Sequence, residues 1–185
     1  MVKIIQNSTI AFLIILLSLP VLSQEQKKMK WYSIEEAVGL NKKMKKKNRK
    51  KIFVDLYTDW CGWCKKMDAN TFTDPVIVEY MTENFWPVKL DAETNDTITI
   101  NGQEYVNPKP GARRSSHQLA VALLQGKMSY PSFVFLDEDV KLITVLPGYN
   151  PPEKIEPILH YIAEGAYKEE SYQDFFSNFK GSFGE

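Results

Sequence analysis

The stretch that most constrains this chain is residues 51–66, which read KIFVDLYTDWCGWCKK. Its apolar first part, residues 52–57, is rich in β-branched and aromatic side chains and predicts a buried strand. A short polar break follows, after which Cys61 and Cys64 stand two residues apart with lysines behind them. The segment therefore predicts a strand, a turn and a helix whose first turn carries a dithiol.

Residues 1–23 have the pattern of a secretory signal peptide. Lys3 supplies the positive start, residues 10–19 are almost continuously apolar, and Ser23 ends a stretch suited to signal peptidase. The apolar run is shorter than the roughly 18 to 20 residues of a membrane-spanning helix, although an uncleaved membrane anchor is the alternative. We predict an exported protein of the periplasm or cell exterior, cleaved after Ser23 and not stably inserted in a membrane.

The remaining residues, 24–185, are enough for one domain with its own core. The chain has 23 basic and 23 acidic residues, so its charge gives no reason to expect nucleic-acid binding. Residues 42–51 are nevertheless strongly basic. Because they lie between two predicted elements, we interpret them as a solvated helix end; a docking patch for an anionic surface is the alternative.

The use of cysteine separates redox chemistry from structural roles. An exported protein held together by disulfides usually spreads an even set of cysteines over its loops, whereas this chain has only the two of the CxxC. A ring this small has little entropic effect on the unfolded chain. Structural zinc needs four ligands, and His117 and His160 do not stand at ligand spacing. We predict a redox-active pair, with no metal and no other cofactor.

Capping residues mark the starts of helices. Ser33 stands three residues before Glu36, which is the capping-box pattern. Asp74 directly precedes Pro75, a combination of N-cap and first-turn proline that favours a helix start. Ser116 is a further N-cap candidate.

The predicted strands form a mixed α/β arrangement. Residues 86–90 follow a helix, and such a crossover places them parallel to residues 52–57. Residues 132–136 read as a buried strand that pairs antiparallel with residues 142–146. Residues 97–106 alternate about an Asn-Gly pair, which is a strong hairpin signal.

The C-terminal part contains one conflict. Aliphatic residues at helical spacing predict a helix over residues 155–162, but Pro157 is incompatible with a helix that starts at Pro151, because an interior proline costs about 3 kcal/mol. We expect a kink, or a start nearer Pro157. Residues 168–185 are predicted to be an extension with one short aromatic helix that packs on the body.

Three segments resemble the thioredoxin superfamily. Residues 53–65 are similar to its active-site segment, and residues 130–135, YPSFVF, match its cis-proline before a central strand. Residues 67–75 resemble the segment after the CxxC helix in periplasmic thioredoxin-like domains of transmembrane thiol-disulfide reductases. The resemblance implies a thioredoxin fold, a central mixed β-sheet flanked by helices, with a hairpin-containing insertion at residues 92–116 before the cis-proline.

The resemblance also assigns catalytic roles. Cys61 becomes the attacking cysteine, which suits a helix N-terminus because free N–H groups there stabilise a thiolate. Cys64, expected to be more buried, resolves the mixed disulfide. Asp55 takes the place of the buried acid that moves protons to and from the resolving thiol, and burial would raise its pKa. A carboxylate that caps a nearby turn is the alternative for Asp55.

Pro131 takes the place of the cis-proline that faces the dithiol, and Tyr130 would offer backbone groups to an extended substrate. An edge-strand proline is the alternative for Pro131. Gly62-Trp63 replaces the Gly-Pro of thioredoxin itself, so the redox potential of thioredoxin cannot be assigned to this protein. Trp63 either contacts partners or folds over the thiols. The residues expected to bind substrate are Trp60, Gly62, Trp63, Tyr130 and Pro131.

The sequence thus predicts an exported thiol-disulfide oxidoreductase that reduces or isomerises protein disulfides. Asp55 favours reduction, because strong oxidants of the family commonly lack an acid at the matching position. The expected partners are disulfide-containing exported proteins and a membrane-bound electron donor, with residues 92–116 shaping partner choice. A disulfide-forming oxidase and a non-catalytic binding or chaperone module on the same fold are the alternatives.

Overall fold

The computed structural model describes residues 27–183, so the predicted signal at residues 1–23 lies outside the described part. No helix of residues 27–183 is both long enough and apolar enough to cross a membrane. The helices are α1 (Ile34–Lys43), α2 (Gly62–Ala69), α3 (Pro75–Asn84), α4 (Gln118–Leu123), α5 (Pro152–Ala163) and α6 (Tyr172–Asn178). The strands are β1 (Lys51–Tyr57), β2 (Phe85–Asp91), β3 (Ile98–Ile100), β4 (Gln103–Tyr105), β5 (Ser132–Leu136) and β6 (Leu142–Pro147).

A mixed sheet with the strand order β2-β1-β5-β6 forms the centre of the described residues. Strand β1 pairs parallel with β2, as the crossover through α2 and α3 requires, and antiparallel with β5. Strand β6 pairs antiparallel with β5. The predicted thioredoxin fold, a mixed sheet flanked by helices, is confirmed.

Side-chain alternation along β1 divides the core between the two faces of the sheet. Ile52, Val54 and Leu56 point to one face, where they pack with residues of α1 and α4. Phe53 points to the other face and packs with residues of α2, α3 and α5. Because alternate residues of a strand share a face, Asp55 lies on the Phe53 side, beneath the helix that carries the cysteines.

The local capping signals correspond to the observed helix starts in two of three cases. Ser33 and Glu36 form the predicted capping box at α1. Asp74 caps α3, accepting hydrogen bonds from the first free N–H groups. Ser116 was the wrong candidate for α4, since His117 is the N-cap and its Nδ1 accepts from the Leu119 N–H at 3.2 Å.

Pro157 lies inside α5, which runs on from Pro152, so the expected start nearer Pro157 is wrong. A proline has no N–H to donate to the preceding turn, and that lost hydrogen bond is a cost to the helix. The helix face that includes Ile155, Leu159 and Ile162 is fully buried against the sheet. Apolar burial on this face offsets the missing hydrogen bond.

The insertion and the tail both pack on the body. Strands β3 and β4 form the predicted hairpin, which meets α1 where the Thr99 N–H donates to Glu35 Oε1 at 2.8 Å. The backbone of the insertion begins beside the active-site turn, since the Ala92 N–H donates to the Tyr57 carbonyl at 2.9 Å. Helix α6 is the predicted short tail helix, and its aromatic side chains contact Tyr161 of α5.

Candidate active site

The two cysteines form a disulfide at the start of α2. Cys61 is the N-cap of the helix, and its Sγ accepts a hydrogen bond of 3.1 Å from the Cys64 N–H. The turn before it is closed by the Cys61 N–H, which donates to the Thr58 carbonyl at 3.0 Å. Cys61 is 4% exposed and Cys64 2%, so the expected difference in burial is small. The Cys64 N–H thus points at the first sulfur, where it would stabilise a thiolate.

Asp55 is buried under α2 beside a lysine from the neighbouring strand. Its side chain is 1% exposed, and Lys89 Nζ lies 3.0 Å from Oδ2. Within residues 27–183 neither carboxylate oxygen has a hydrogen bond of good geometry, so the contact with Lys89 is mainly electrostatic. Lys89 also makes a short ion pair with Asp68 of α2. The ammonium is therefore shared between a buried carboxylate and a more exposed one.

Burial dominates the protonation of Asp55. The loss of hydration raises its pKa from 3.8 to about 6, although the charge of Lys89 opposes this rise. Burial alone would lower the pKa of Lys89, but the carboxylates of Asp55 and Asp68 outweigh it and raise that pKa. The pair thus combines an acid that titrates near neutral pH with a lysine that stays charged.

Lys89 is the site residue that sequence reasoning missed. The register of the parallel pair places it directly opposite Asp55. Its ammonium lies under the ring faces of Trp31 and Tyr57, at 5.1 and 4.9 Å from the centroids. A lone lysine in the middle of a predicted buried strand was the available signal, because a charge there needs a partner.

The peptide bond between Tyr130 and Pro131 is cis, as the resemblance implied. Pro131 directly precedes β5, and its carbonyl accepts from the Gly148 N–H at 2.8 Å. The ring of Tyr130 meets Trp60 edge to face, with centroids 5.9 Å apart. The loop before β5 and the residue before Cys61 are therefore in direct contact.

Trp63 is exposed at the start of α2, and its ring lies beside that of Tyr149. It is 56% exposed, and its ring lies 5.4 Å from that of Tyr149. Lys66 Nζ lies 5.1 Å from the Trp63 centroid. Gly62 is exposed as well, and a methyl group added at its Cα would meet no atom within 4 Å among the described residues. Both residues of the dipeptide thus offer surface to a partner.

The histidines take part in local packing. His117 caps α4, and His160 stacks on Tyr80 with 3.8 Å between ring centroids. Within residues 27–183 no group of three or more His, Cys, Asp or Glu side chains is arranged to hold a metal ion.

Comparison with known proteins places this site in a family. A thioredoxin-like domain matches residues 39–163. The thiol:disulfide interchange protein DsbD of Pseudoalteromonas atlantica is 36% identical over 56 residues, which are 30% of this chain and only 9% of that protein. A solved thioredoxin from Thermus thermophilus aligns with a TM-score of 0.54 and 18% identity, over 78% of this chain and 95% of that chain. A thioredoxin-fold protein from Helicobacter pylori aligns with a TM-score of 0.51 and 18% identity, over 70% and 80% of the two chains.

The raised pKa of Asp55 predicts a pH-dependent cost to stability. Because the folded state holds the proton up to about pH 6 and the unfolded state only to about 3.8, stability falls as the pH rises between these values. The difference between the two pKa values corresponds to about 3 kcal/mol. The free energy of unfolding of Asp55→Asn, relative to that of the wild type, should therefore be up to about 3 kcal/mol larger at pH 8 than at pH 4.

Urea unfolding of the oxidised protein at both pH values measures this difference. Lys89→Met serves as the opposite variant, since loss of its charge raises the pKa of Asp55 further and extends the decline to higher pH. A stability difference between Asp55→Asn and the wild type that does not change with pH would contradict the assignment.

Proposed function

Because the chain belongs to the thioredoxin-like family, we propose that it reduces or isomerises the disulfides of exported proteins. The family and the cystine at the start of α2 give the enzyme class, a thiol-disulfide oxidoreductase. The observation that carries the proposal is the Cys61–Cys64 disulfide at a helix N-terminus, above the buried Asp55. Export is supported by the signal pattern of residues 1–23 and by the resemblance of residues 67–75 to periplasmic domains.

The reaction begins from the dithiol form. The Cys61 thiolate attacks one sulfur of the substrate disulfide, so a Cys61–substrate bond forms while the substrate S–S bond breaks. The released substrate thiolate takes a proton from solvent. Backbone N–H groups at the start of α2 stabilise the attacking thiolate before the bond forms.

The second step releases the substrate. Cys64 gives its proton to the Asp55 carboxylate, and its thiolate attacks Cys61 Sγ. The disulfide seen in the structure forms, and the second substrate sulfur leaves as a thiolate. Two electrons pass from the protein dithiol to the substrate, so a further donor must reduce the protein again; we propose a membrane-bound donor outside the cytosol.

The electrostatics of Asp55 suit the release step. With a pKa of about 6 the carboxylate is mostly ionised at neutral pH, ready to accept the proton of a neighbouring thiol. Lys89 keeps the ionised form accessible despite the burial. An enzyme that needs its resolving thiol deprotonated late in the reaction benefits from such a base.

Replacing the resolving cysteine should trap the partners. In Cys64→Ser the mixed disulfide on Cys61 cannot be resolved, so covalent complexes should accumulate in the exported fraction of the source cells. They are detected as bands that disappear on reduction, and their proteins are then identified. Cys61→Ser is the matched control and should capture none. Equal capture by both variants would contradict the role of Cys61.

The redox potential distinguishes a reductase from an oxidase. We expect a value nearer the roughly −270 mV of thioredoxin than the roughly −120 mV of a strong oxidant. Equilibration of the protein with glutathione or dithiothreitol buffers, followed by thiol alkylation, gives the number. A potential close to about −120 mV would instead favour the disulfide-forming oxidase.

Asp55→Asn should slow the release step about a hundredfold near pH 7, because the thiol of Cys64 loses its base. Attack by Cys61 should change much less. Single-turnover kinetics with a quenched disulfide peptide separate the two steps. In the wild type the release rate should rise with pH through about 6, the pKa of Asp55, and this rise should be absent in the variant.

Asp139→Asn, a change at an exposed surface carboxylate, is the control and should keep both steps at wild-type rates. If Asp55→Asn slowed attack and release equally, a structural role would replace that of a base.

A further inference from the structure

Trp60, the residue before the attacking cysteine, carries a cation from the insertion on its ring. The ring is 53% exposed. The Arg114 guanidinium carbon lies 5.2 Å from the ring centroid, within cation–π range. At the ring edge, the indole N–H donates to Glu93 Oε1 at 3.1 Å. Residues 92–116 therefore reach the active-site surface through these two side chains.

The loop that carries Arg114 is fixed by a buried amide. Asn107 donates from Nδ2 to the carbonyls of Glu93, Thr94 and Ser115, at 3.3, 3.2 and 3.0 Å. Arg114 itself has a φ of +57°, a backbone conformation that is uncommon for a residue with a side chain. The loop backbone at Arg114 is thus fixed before a partner arrives, which reduces the entropic cost of binding.

The charge of Arg114 is unmatched in the described structure. The side chain is exposed, and none of the ion pairs within residues 27–183 includes it. Glu93, whose Oε1 accepts from the Trp60 indole, lies at the edge of the same ring. A guanidinium stacked on an aromatic face keeps its N–H edges free for a carboxylate.

A second cation has a similar setting on the other side of the dithiol. Lys66 lies over the rings of Trp63 and Tyr149, at 5.1 and 4.9 Å from their centroids, and it too forms no ion pair in the described structure. Tyr149 follows β6, whereas Glu93 follows β2, and these strands are the two edges of the sheet. Cations thus lie over aromatic rings on both sides of the dithiol, and on the Trp60 side the Glu93 carboxylate lies at the ring edge.

Resting on the proposed function, we propose that Arg114 selects substrate segments with an aspartate or glutamate close to the reactive cysteine. An extended substrate advances about 3.3 Å per residue. With the substrate sulfur at Cys61, a side chain two residues away lies about 7 Å along the substrate, and we place it at the ring of Trp60, next to Cys61 in the chain, and at the guanidinium over that ring. A carboxylate there would replace water on an unpaired cation, whereas a lysine would be repelled.

The test compares symmetric disulfide dimers of one short peptide. Its single cysteine has glutamate, glutamine or lysine two residues before it or two residues after it. The reduced protein should react with the better-placed glutamate peptide about threefold to tenfold faster than with its glutamine counterpart, and slowest with lysine. Second-order rate constants come from chromatography of quenched samples. Raising the salt to about 0.5 M should reduce the difference.

Reversing or removing the charge of single residues tests which residue causes the preference. Arg114→Glu should reverse the order, so that the lysine peptide reacts faster than the glutamate peptide. Arg114→Asn should abolish the preference, and asparagine tolerates the positive φ, which guards against misfolding of the loop. Arg113→Glu changes the net charge equally at the exposed neighbouring position and should keep the wild-type order.

The possible failures are distinct. Equal wild-type rates for the glutamate and glutamine peptides, with both clearly reduced, would overturn the acidic preference and leave the oxidoreductase function standing. A shift by Arg113→Glu as large as that by Arg114→Glu would overturn the assignment to Arg114. Absence of reaction with every peptide would contradict the proposed function, and the preference with it.

Discussion

The burial of the Asp55 carboxylate beneath α2 is the constraint on which the rest of the site depends. Strand alternation places this side chain on the same face as Phe53, beside a cluster of buried apolar side chains. A charge there is costly unless a partner lies close, and Lys89 supplies one from the adjacent parallel strand. The part of this cost that Lys89 does not offset appears as the raised pKa of Asp55. The fold therefore maintains a destabilising carboxylate at the position that we propose for the proton acceptor of Cys64.

Much of the fold was predictable because its signals are local. The apolar run of β1, the capping pair Ser33 and Glu36, and the Asp74-Pro75 start each act within one turn or one strand. The parallel pairing of β1 and β2 followed from the crossover rule. His117 displaced the predicted cap because an imidazole nitrogen can accept the same hydrogen bond as a hydroxyl. Pro157 remained inside α5 because the helix face around it is buried.

The cysteines and Asp55 could also be located from the sequence, since all three lie in one stretch, Asp55 to Cys64, that covers the end of β1 and the start of α2. Their catalytic roles remain predictions. Lys89 and Arg114 were not predicted as site residues, because their contacts join segments that are distant in the sequence. The contact of Lys89 depends on the register of two strands, and that of Arg114 on the path of a long insertion. A lysine in a buried strand signals that a partner is needed, but no spacing in the sequence says which residue it contacts. Local patterns thus identify groups that can react, whereas their electrostatic partners emerge only from the packed structure.

The cysteines and Asp55 are held by one part of the structure, and Arg114 is held by another. The reacting groups sit on β1 and α2, whose geometry is fixed by the core on both sides of the sheet. The cation over Trp60 sits on a loop held mainly by the amide of Asn107, outside that core. A change at Arg114 alters the surface that a substrate meets without disturbing the packing around Asp55. In our proposal, reactivity and partner preference therefore rest on separate sets of interactions, which meet at the ring of Trp60.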